Sequence, residues 1–499
     1  MIRSQPGETS RAPWAAPVAV AIVVAALVAW RALAGSEPSA APSVPSASPA
    51  SASASASASA SASASADTAP RSSTGPRCEE ISAEPFFIGE APAAPRSPPA
   101  ESSSSGGPAD EPTEELEDPI APFAVEIGRG TVFEGGFAVG ARRDAEGGAV
   151  GMVATLGLDG KGGKLVRLGR LRGDLDPPVV TGAGASILAV MSEPNAGGRA
   201  IKVAKVTGAE VTWGPEFSEG RDESAAVDVA VAGARAVVVW DDLVGVSARH
   251  SSIILAALDV PTMHVISPAH PVSAASADAE WPRLTARPGG YWLAYVLRGE
   301  ATAKKKKAGK ARPDDDDEDR ELGEAITTSF VELVPLDEGG APAGAPRAVT
   351  PKGGHVLSFD LELGEDGGAL LAWRDDDTPT GSTGGRVSVV LARLGGVAEA
   401  RVLAEETVGA GVPDLLPGWI SLASVNGATR LAAMSPRGES LEELAPERSL
   451  GAGEPIAATS DAILWARPLG RTMRLGVVRC RPRAVAAGPA GDAGAATGP

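Results

Sequence analysis

Two acidic clusters in this sequence could do chemistry, because each follows an apolar run that ends in tryptophan. The residues are Trp240, Asp241 and Asp242 in one cluster and Trp373, Asp375 and Asp376 in the other. Carboxylate oxygens suit Ca²⁺ or a cationic ligand, and tryptophan can stack on a sugar ring or a peptide. The structural alternative is aspartate in turns and tryptophan in the core. The sequence predicts a binding site here, with calcium as a candidate ion and no other cofactor.

Nucleophilic catalysis finds little support in the sequence. There is no Gly-x-Ser-x-Gly elbow and no His-Glu-x-x-His motif, the arrangements that serve α/β-hydrolases and zinc peptidases. Four histidines and two cysteines are too few for the usual structural zinc or iron–sulfur ligand sets. The sequence therefore favours binding over catalysis. A Ca²⁺-dependent hydrolase or lyase that works with acidic residues alone stays open.

The charge of the chain limits its partners. Asp and Glu number 63 against 45 Lys and Arg, which gives a net charge of −18. Nucleic acids and anionic membrane surfaces both require clustered positive charge, so neither is an expected partner. We expect a monomer that binds an envelope protein or a glycan.

The N-terminus predicts export from a bacterial cytoplasm. Arg3 and Arg11 precede an apolar run from Trp14 to Trp30, a length that fits either a signal peptide or a membrane anchor. Residues 1–34 are accordingly predicted to form a signal or transmembrane helix. The rest of the chain is then periplasmic, attached to the inner membrane through this segment or released and secreted.

Low-complexity tracts separate the N-terminus from the folded part. Residues 35–77 consist largely of Ser, Ala and Pro, and residues 91–119 hold a serine run among many prolines. Such tracts bury too little apolar surface to offset the entropy of the backbone, so both are predicted to be disordered linkers. The tail at 484–499 is predicted to be disordered as well. Residues 78–90 form an isolated segment between the two linkers, with the character of a strand.

An apolar run recurs seven times in the remaining sequence. The runs are centred on Phe137, Ile187, Val237, Trp292, Leu370, Ile420 and Ile463, with spacings of 50, 50, 55, 78, 50 and 43 residues. A period near 50 is typical of propeller blades or a comparable array. The long spacing coincides with a charged insertion at 301–321, placed between the second and third strands of the fourth unit.

The flanks of each run indicate units of four strands. A short strand precedes the run, as at Val227–Val231, and a third strand follows a polar loop, as at Ile253–Leu258. A more polar fourth strand follows, as at Lys164–Leu168. Strong inner strands with a weak outer edge resemble a β-propeller over residues 120–483, without the signature of a particular propeller family. The resemblance implies an all-β fold of seven four-stranded blades, with both acidic clusters at the mouth of the central channel.

The two cysteines acquire a role in such a ring. The seventh unit ends at Cys480 without a fourth strand, and residues 78–90 can supply that strand. The antiparallel pairing then places Cys78 beside Cys480, which predicts a disulfide across 402 residues in an exported chain. Two unpaired thiols are the alternative.

These observations lead to one functional hypothesis and two alternatives. The hypothesis is an exported or membrane-anchored propeller that acts as a protein- or glycan-binding module at the bacterial cell envelope. The first alternative is a Ca²⁺-dependent hydrolase or lyase with acidic residues at the channel mouth. The second is a structural or assembly factor of the envelope.

Overall fold

Short strands joined by tight turns make up nearly all of the described chain. The computed structural model describes residues 77–82, 84–89, 125–145, 148–171, 176–195, 198–219, 225–243, 250–300, 327–376, 385–397, 400–406, 412–423, 429–434, 441–446 and 453–481. The predicted signal or anchor, both linkers, the charged insertion and the tail lie outside these residues, apart from Arg77. Within the described part of the chain, no helix is long and apolar enough to cross a membrane.

Two short strands precede the first blade, and three blades of four strands follow. The first two are β1 (Arg77–Glu80) and β2 (Phe86–Ile88). Blade one has β3 (Val125–Phe133), β4 (Gly136–Ala145), β5 (Gly148–Leu156) and β6 (Lys164–Leu171). Blade two has β7 (Val179–Ala183), β8 (Ser186–Asn195), β9 (Gly198–Thr207) and β10 (Glu210–Glu219). Blade three has β11 (Val227–Ala232), β12 (Arg235–Leu243), β13 (Ser251–Asp259) and β14 (His264–Pro271).

Four further blades complete the series. Blade four has β15 (Asp278–Arg287), β16 (Gly290–Glu300), β17 (Thr327–Leu336) and β18 (Arg347–Ala348). Blade five has β19 (Val356–Leu363), β20 (Ala369–Asp376) and β21 (Gly385–Arg393), with an outer edge of β22 (Gly396–Val397) and β23 (Arg401–Glu406). Blade six has β24 (Val412–Leu416), β25 (Trp419–Ala423), β26 (Thr429–Met434) and β27 (Leu441–Pro446). Blade seven has β28 (Glu454–Ala458), β29 (Ala462–Leu469) and β30 (Thr472–Arg481). All of these strands belong to one compact unit, Thr74–Ala303 with Ile326–Pro499.

The recurring apolar run is the second strand of every blade. In β12, the residues from Ala236 to Asp241 are all buried, whereas most of the outer strand β14 is exposed. A strand covered on both faces needs apolar side chains at every position, which explains a continuous run instead of an alternating pattern. The described residues form seven buried hydrophobic clusters, one between each pair of neighbouring blades.

The first strands of the blades form a closed ring around a central channel. Each first strand contacts the first strands of both neighbouring blades, and β28 of blade seven contacts β3 of blade one. The chain therefore folds as a seven-bladed β-propeller of mainly four-stranded blades. The long repeat spacing lies where the sequence predicts it, since the second strand of blade four ends at Glu300 and the third begins at Thr327.

Blade seven is completed by the N-terminal strands. β1 runs antiparallel to β30 with Cys78 opposite Cys480, and these cysteines form a disulfide between positions 402 apart. β2 continues the same edge by pairing with β30 from Phe86 opposite Leu475. β1 also pairs in parallel with β27, so blades six and seven share one sheet. The predicted disulfide is confirmed, and it closes the ring where its two ends meet.

Candidate functional site

The predicted acids of blade three lie at the end of β12 and bind the backbone. The Asp241 carboxylate is buried and accepts hydrogen bonds from the amides of Ala226 at 3.0 Å and Trp281 at 3.1 Å. Trp281 belongs to blade four, so Asp241 fixes the beginnings of two neighbouring first strands. Asp242 accepts a bond of 2.7 Å from the amide of Leu243.

The predicted acids of blade five have similar local partners. Asp375 accepts a hydrogen bond of 2.7 Å from the amide of His355, directly before β19. The buried Asp376 carboxylate accepts two bonds from Arg374, at 2.7 and 3.1 Å. Blade four separates this pair from Asp241 and Asp242, so the structure does not bring the four carboxylates together. Among the described residues, no group of three or more His, Cys, Asp or Glu side chains could hold a metal ion.

The two predicted tryptophans lie inside the protein. Trp240 is 1% exposed and packs between blades two and three, with its ring stacked on Phe217 at a centroid distance of 5.5 Å. Trp373 is 2% exposed and packs between blades four and five. The structure therefore leaves neither indole face open to a ligand.

Trp281 is an exposed aromatic side chain at the end of the blades where Asp241 lies. Its indole is 40% exposed, and the Arg298 guanidinium lies 5.5 Å from the ring centroid. Its φ of 56° is in the left-handed region, which costs a bulky residue about 1–3 kcal/mol and persists only where the surroundings impose it. The bond to Asp241 and a β-bulge between Glu280 and Arg283 hold it there. This end of the propeller therefore presents an aromatic side chain in a fixed position.

A charged cluster on the first strands is the main polar feature of the channel. We call it the channel cluster. It contains Arg129, Asp228, Arg283, Asp360, Glu362, Asp414 and Glu454, from blades one, three, four, five, six and seven. Five carboxylates face two arginines, which leaves a net charge of −3 when all of these groups are ionised. None of the seven belongs to the two acidic clusters that the sequence predicts as a binding site.

Arg129 spans the channel from blade one. It donates to Asp360 at 2.8 Å, to Glu362 at 3.4 Å and to the backbone carbonyl of Leu415 at 3.0 Å. The acceptors lie on blades five and six, more than 230 positions along the chain. Arg283 adds a weaker contact, 3.8 Å from Asp360. Burial acts to lower the pKa of Arg129, but the attraction of the surrounding carboxylates outweighs it, so the guanidinium stays charged.

Asp228 and Asp360 occupy equivalent places and link neighbouring blades. Both are buried, and each accepts a hydrogen bond from the amide of the residue after it, at 2.8 and 2.9 Å. The second oxygen of each accepts a 2.7 Å bond from the first strand of the next blade, at Leu284 and Leu415. These carboxylates are therefore part of the ring itself. In β11 the signal that could have identified Asp228 is a single acid in an otherwise apolar first strand, whereas β19 also contains Glu362.

Asp414 is a channel carboxylate whose pKa is raised to near neutrality. Water reaches its side chain, but enclosure in the channel raises its pKa to about 7, and repulsion from Asp360 and Glu454 adds to the increase that Arg129 and Arg283 partly offset. Burial also raises the pKa of Asp228, Glu362 and Glu454. Ionisation of these carboxyls would give the channel more negative charge than its two arginines neutralise, and a bound cation would favour that ionisation.

The raised pKa of Asp414 makes the stability of the fold depend on pH. The unfolded carboxyl ionises near pH 3.9, so between about pH 4 and pH 7 the folded state holds a proton that the unfolded state releases. Stability should therefore fall as the pH rises from about 4 to about 7, and this contribution should level off above pH 7. In Asp414→Asn this decline should be smaller, and the variant should melt about 1–3 °C above the wild type at alkaline pH, a shift limited by solvent screening. Thermal melting at a series of pH values tests this, and parallel curves would contradict it.

Comparisons with known proteins give remote structural neighbours. No family model and no curated protein matches the chain. It is similar to the β-propeller domain of the Trilobed protease from Pyrococcus furiosus, with 9% identity, a TM-score of 0.42 and coverage of 72% of this chain and 95% of that one. Acylaminoacyl peptidase from Pyrococcus horikoshii has 11% identity and a TM-score of 0.42, covering 71% of this chain and 52% of that one.

A glycan-active enzyme is also among the neighbours. The GH43 endo-arabinanase from Bacillus licheniformis has 14% identity and a TM-score of 0.30, with coverage of 52% of this chain and 93% of that one. The chain spans about half the length of the peptidase. Identities and TM-scores this low transfer no activity, because one fold serves many functions. The assignment of the fold rests on the strand topology of the chain itself.

Proposed function

We propose that this chain is an exported binding module of the bacterial cell envelope, which holds a protein partner by a lysine or arginine side chain inserted into the channel. The observation that carries the proposal is the channel cluster, in which five carboxylates face two arginines. An incoming ammonium or guanidinium group would balance part of this excess and pair with Asp414. Charge-assisted bonds of this kind are stronger than neutral ones, above all for a guanidinium on a carboxylate.

The rim of the channel supports a peptide as the ligand. Trp281 is exposed and fixed at the end of the first strands where Asp241 lies. An aromatic side chain in a fixed position can stack on a peptide at a low entropic cost. A positively charged side chain of the partner in the channel, together with the partner's peptide backbone packed on Trp281, would give affinity. The two contacts would also fix which residues of the peptide face the propeller.

The disulfide supports the compartment in this proposal. Cys78 and Cys480 are both buried and joined, and such bonds persist in oxidising compartments such as the periplasm. An N-terminal anchor or signal peptide, as the sequence predicts, would deliver the propeller there.

A second candidate is a hydrolase or lyase with its acid in the channel. A carboxyl group with a pKa of about 7, as at Asp414, is suited to general acid catalysis near neutral pH. Asp360 and Glu454 contribute to that pKa and would be the neighbouring carboxylates of such a site. We prefer binding over catalysis because the carboxylate oxygens of Asp228 and Asp360 accept hydrogen bonds from backbone amides, which leaves them less suited to act on a substrate.

Calorimetry with small charged peptides tests the binding proposal. The probes are acetyl-arginine methylamide and its citrulline analogue, which has a similar shape without the charge. We expect the arginine probe to bind at least tenfold more tightly, and Asp414→Asn to weaken it by about tenfold. Binding should strengthen as the pH rises through 7 and Asp414 ionises. Glu79→Gln, a change at an exposed carboxylate on β1, is the matched control and should have no effect.

Three outcomes would redirect the proposal. Equal binding of the citrulline analogue would contradict a site for a cationic group. Preference for a glucosamine oligosaccharide over its N-acetylated form would assign the same channel to an amino-bearing glycan. Saturable Ca²⁺ binding that abolishes peptide binding would support the calcium-dependent alternative.

A further inference from the structure

A hollow lies at the opposite end of the first strands from Asp241 and Trp281. The turns that follow first strands form most of its wall, at Gly233 and Ala234 in blade three and at Pro288 and Gly289 in blade four. Leu363, at the end of β19, completes it from blade five. Its volume is about 500 Å³, within the range of sites that hold small molecules.

The charge in the hollow is opposite to that of the protein as a whole. Its charged lining residues are Arg235, Arg287 and Glu338, which gives a net charge of +1 in a chain of −18. Arg235 lies 3.6 Å from Glu338, and both side chains are about half exposed. A single negative charge on a ligand would match the net charge of this lining, whereas the Glu338 carboxylate would repel the second negative charge of a dianion.

Arg287 is held in place without a carboxylate partner among the described residues. Its guanidinium donates to the backbone carbonyls of Tyr291 at 3.1 Å, Pro288 at 3.1 Å and Leu336 at 2.8 Å. It also lies 5.2 Å from the ring centroid of Trp292. These contacts use three of its five N–H groups and fix its plane at the wall of the hollow. The positive charge is therefore positioned and not neutralised by an acid.

The rest of the lining is apolar and small. It consists of alanine, glycine and proline at the turns, together with Leu363, whose surface is 40% exposed. An exposed leucine beside an arginine favours a ligand with an apolar body and one anionic group, because each part meets a matching surface. Simple inorganic anions lack the apolar part.

We propose that this hollow binds a small organic carboxylate, whose apolar body rests on Leu363 and Ala234 and whose carboxylate pairs with Arg235 and Arg287. The hollow shares no lining residue with the channel cluster, although Leu363 directly follows Glu362 in β19. Its ligand has the opposite charge from the one proposed for the channel. The two sites can therefore be tested independently on the same protein.

Titration with four simple probes tests the proposal on the intact propeller. Benzoate has the apolar body and the charge, benzamide has the body alone, acetate has the charge with little body, and phosphate is an inorganic anion. We expect benzoate to bind saturably by calorimetry and ligand-observed NMR. Benzamide, acetate and phosphate should each bind at least fivefold more weakly. Comparable affinity for benzamide would overturn the proposal, because the arginines would then contribute nothing.

Variants locate the probe in the hollow. Arg235→Gln should weaken the binding of benzoate by about fivefold. Leu363→Asp should abolish saturable binding, because it adds a negative charge to the hollow. Both positions are exposed, so folding should be retained, and thermal melting checks it. Arg167→Gln, at an exposed arginine on the outer strand of blade one, is the control. Unchanged affinity in both Arg235→Gln and Leu363→Asp, or no saturable benzoate binding, would overturn the site.

Discussion

Replacing both Cys78 and Cys480 with serine is expected to lower the melting temperature by roughly 5–10 °C. The disulfide joins positions 402 apart at the point where the ring closes. In the loop-entropy model, a crosslink over so long a loop stabilises the folded state by about 5 kcal/mol at the upper end. Without it, β1 keeps its short ladders with β30 and β27 and the ion pair of Glu80 with Arg474.

Reduction of the wild-type protein provides the control for this experiment. If the loss comes from the crosslink, a reducing agent should bring the wild type to the melting temperature of the double variant. The double variant itself should be insensitive to reduction. The serines keep nearly the same volume in the buried cluster around Trp419 but add hydroxyl groups there, so the reduced wild type measures the contribution of the covalent bond alone. A double variant that melts within about 1 °C of the oxidised wild type would contradict the role assigned to the disulfide.

The fold could be predicted from the sequence because its strongest signals are local. A second strand covered by blades on both faces requires a continuous apolar run, and seven such runs give the number of blades. The closing strand could be predicted because blade seven lacks an outer strand and the only two cysteines flank the gap. A register that places Cys78 opposite Cys480 then follows from antiparallel pairing.

The candidate site was harder to predict because its members are distant in sequence. The sequence predicts Asp241 and Asp242 as site residues because they are adjacent acids after an apolar run. In the structure, however, the Asp241 carboxylate accepts hydrogen bonds from the amides of Ala226 and Trp281. Arg129 meets Asp360 only because the ring places blade one across the channel from blade five. The period of the apolar runs predicts the number of blades, but it does not show which charged side chains come together inside the channel.

Arg129→Met is expected to destabilise the propeller by about 3 kcal/mol near pH 8, because it removes the cation that crosses the channel. Methionine retains much of the apolar stem, so lost packing contributes little. Among the described residues, the variant leaves the 6% exposed Asp360 side chain with the weaker contact to Arg283 as its remaining ion pair. It also makes the net charge of the fully ionised cluster more negative, from −3 to −4. Leu415 also loses a hydrogen bond to its carbonyl.

The pH dependence distinguishes this electrostatic cause from a simple loss of contacts. Arg129 partly offsets the raised pKa of both Glu362 and Asp414. Its removal should raise both pKa values further, so the folded state would hold additional protons at neutral pH. Stability that requires a bound proton is lost as the pH rises, so the deficit of Arg129→Met should grow between about pH 5 and pH 8. Urea titrations at both pH values measure it.

Arg142→Met is the matched control in the same blade. Arg142 also forms two ion pairs, at 2.9 Å with Asp144 and 3.4 Å with Glu126, but these carboxylates are 48% and 41% exposed. Although the Arg142 side chain is only 14% exposed, ion pairs with carboxylates this exposed contribute about 0–1 kcal/mol, so this change should cost less than Arg129→Met at either pH. Arg129→Lys should recover only part of the loss, because an ammonium group does not reproduce the spread of three guanidinium contacts. Equal, pH-independent losses in the two methionine variants would show that Arg129 acts through packing alone, and the channel cluster would then lose its electrostatic role.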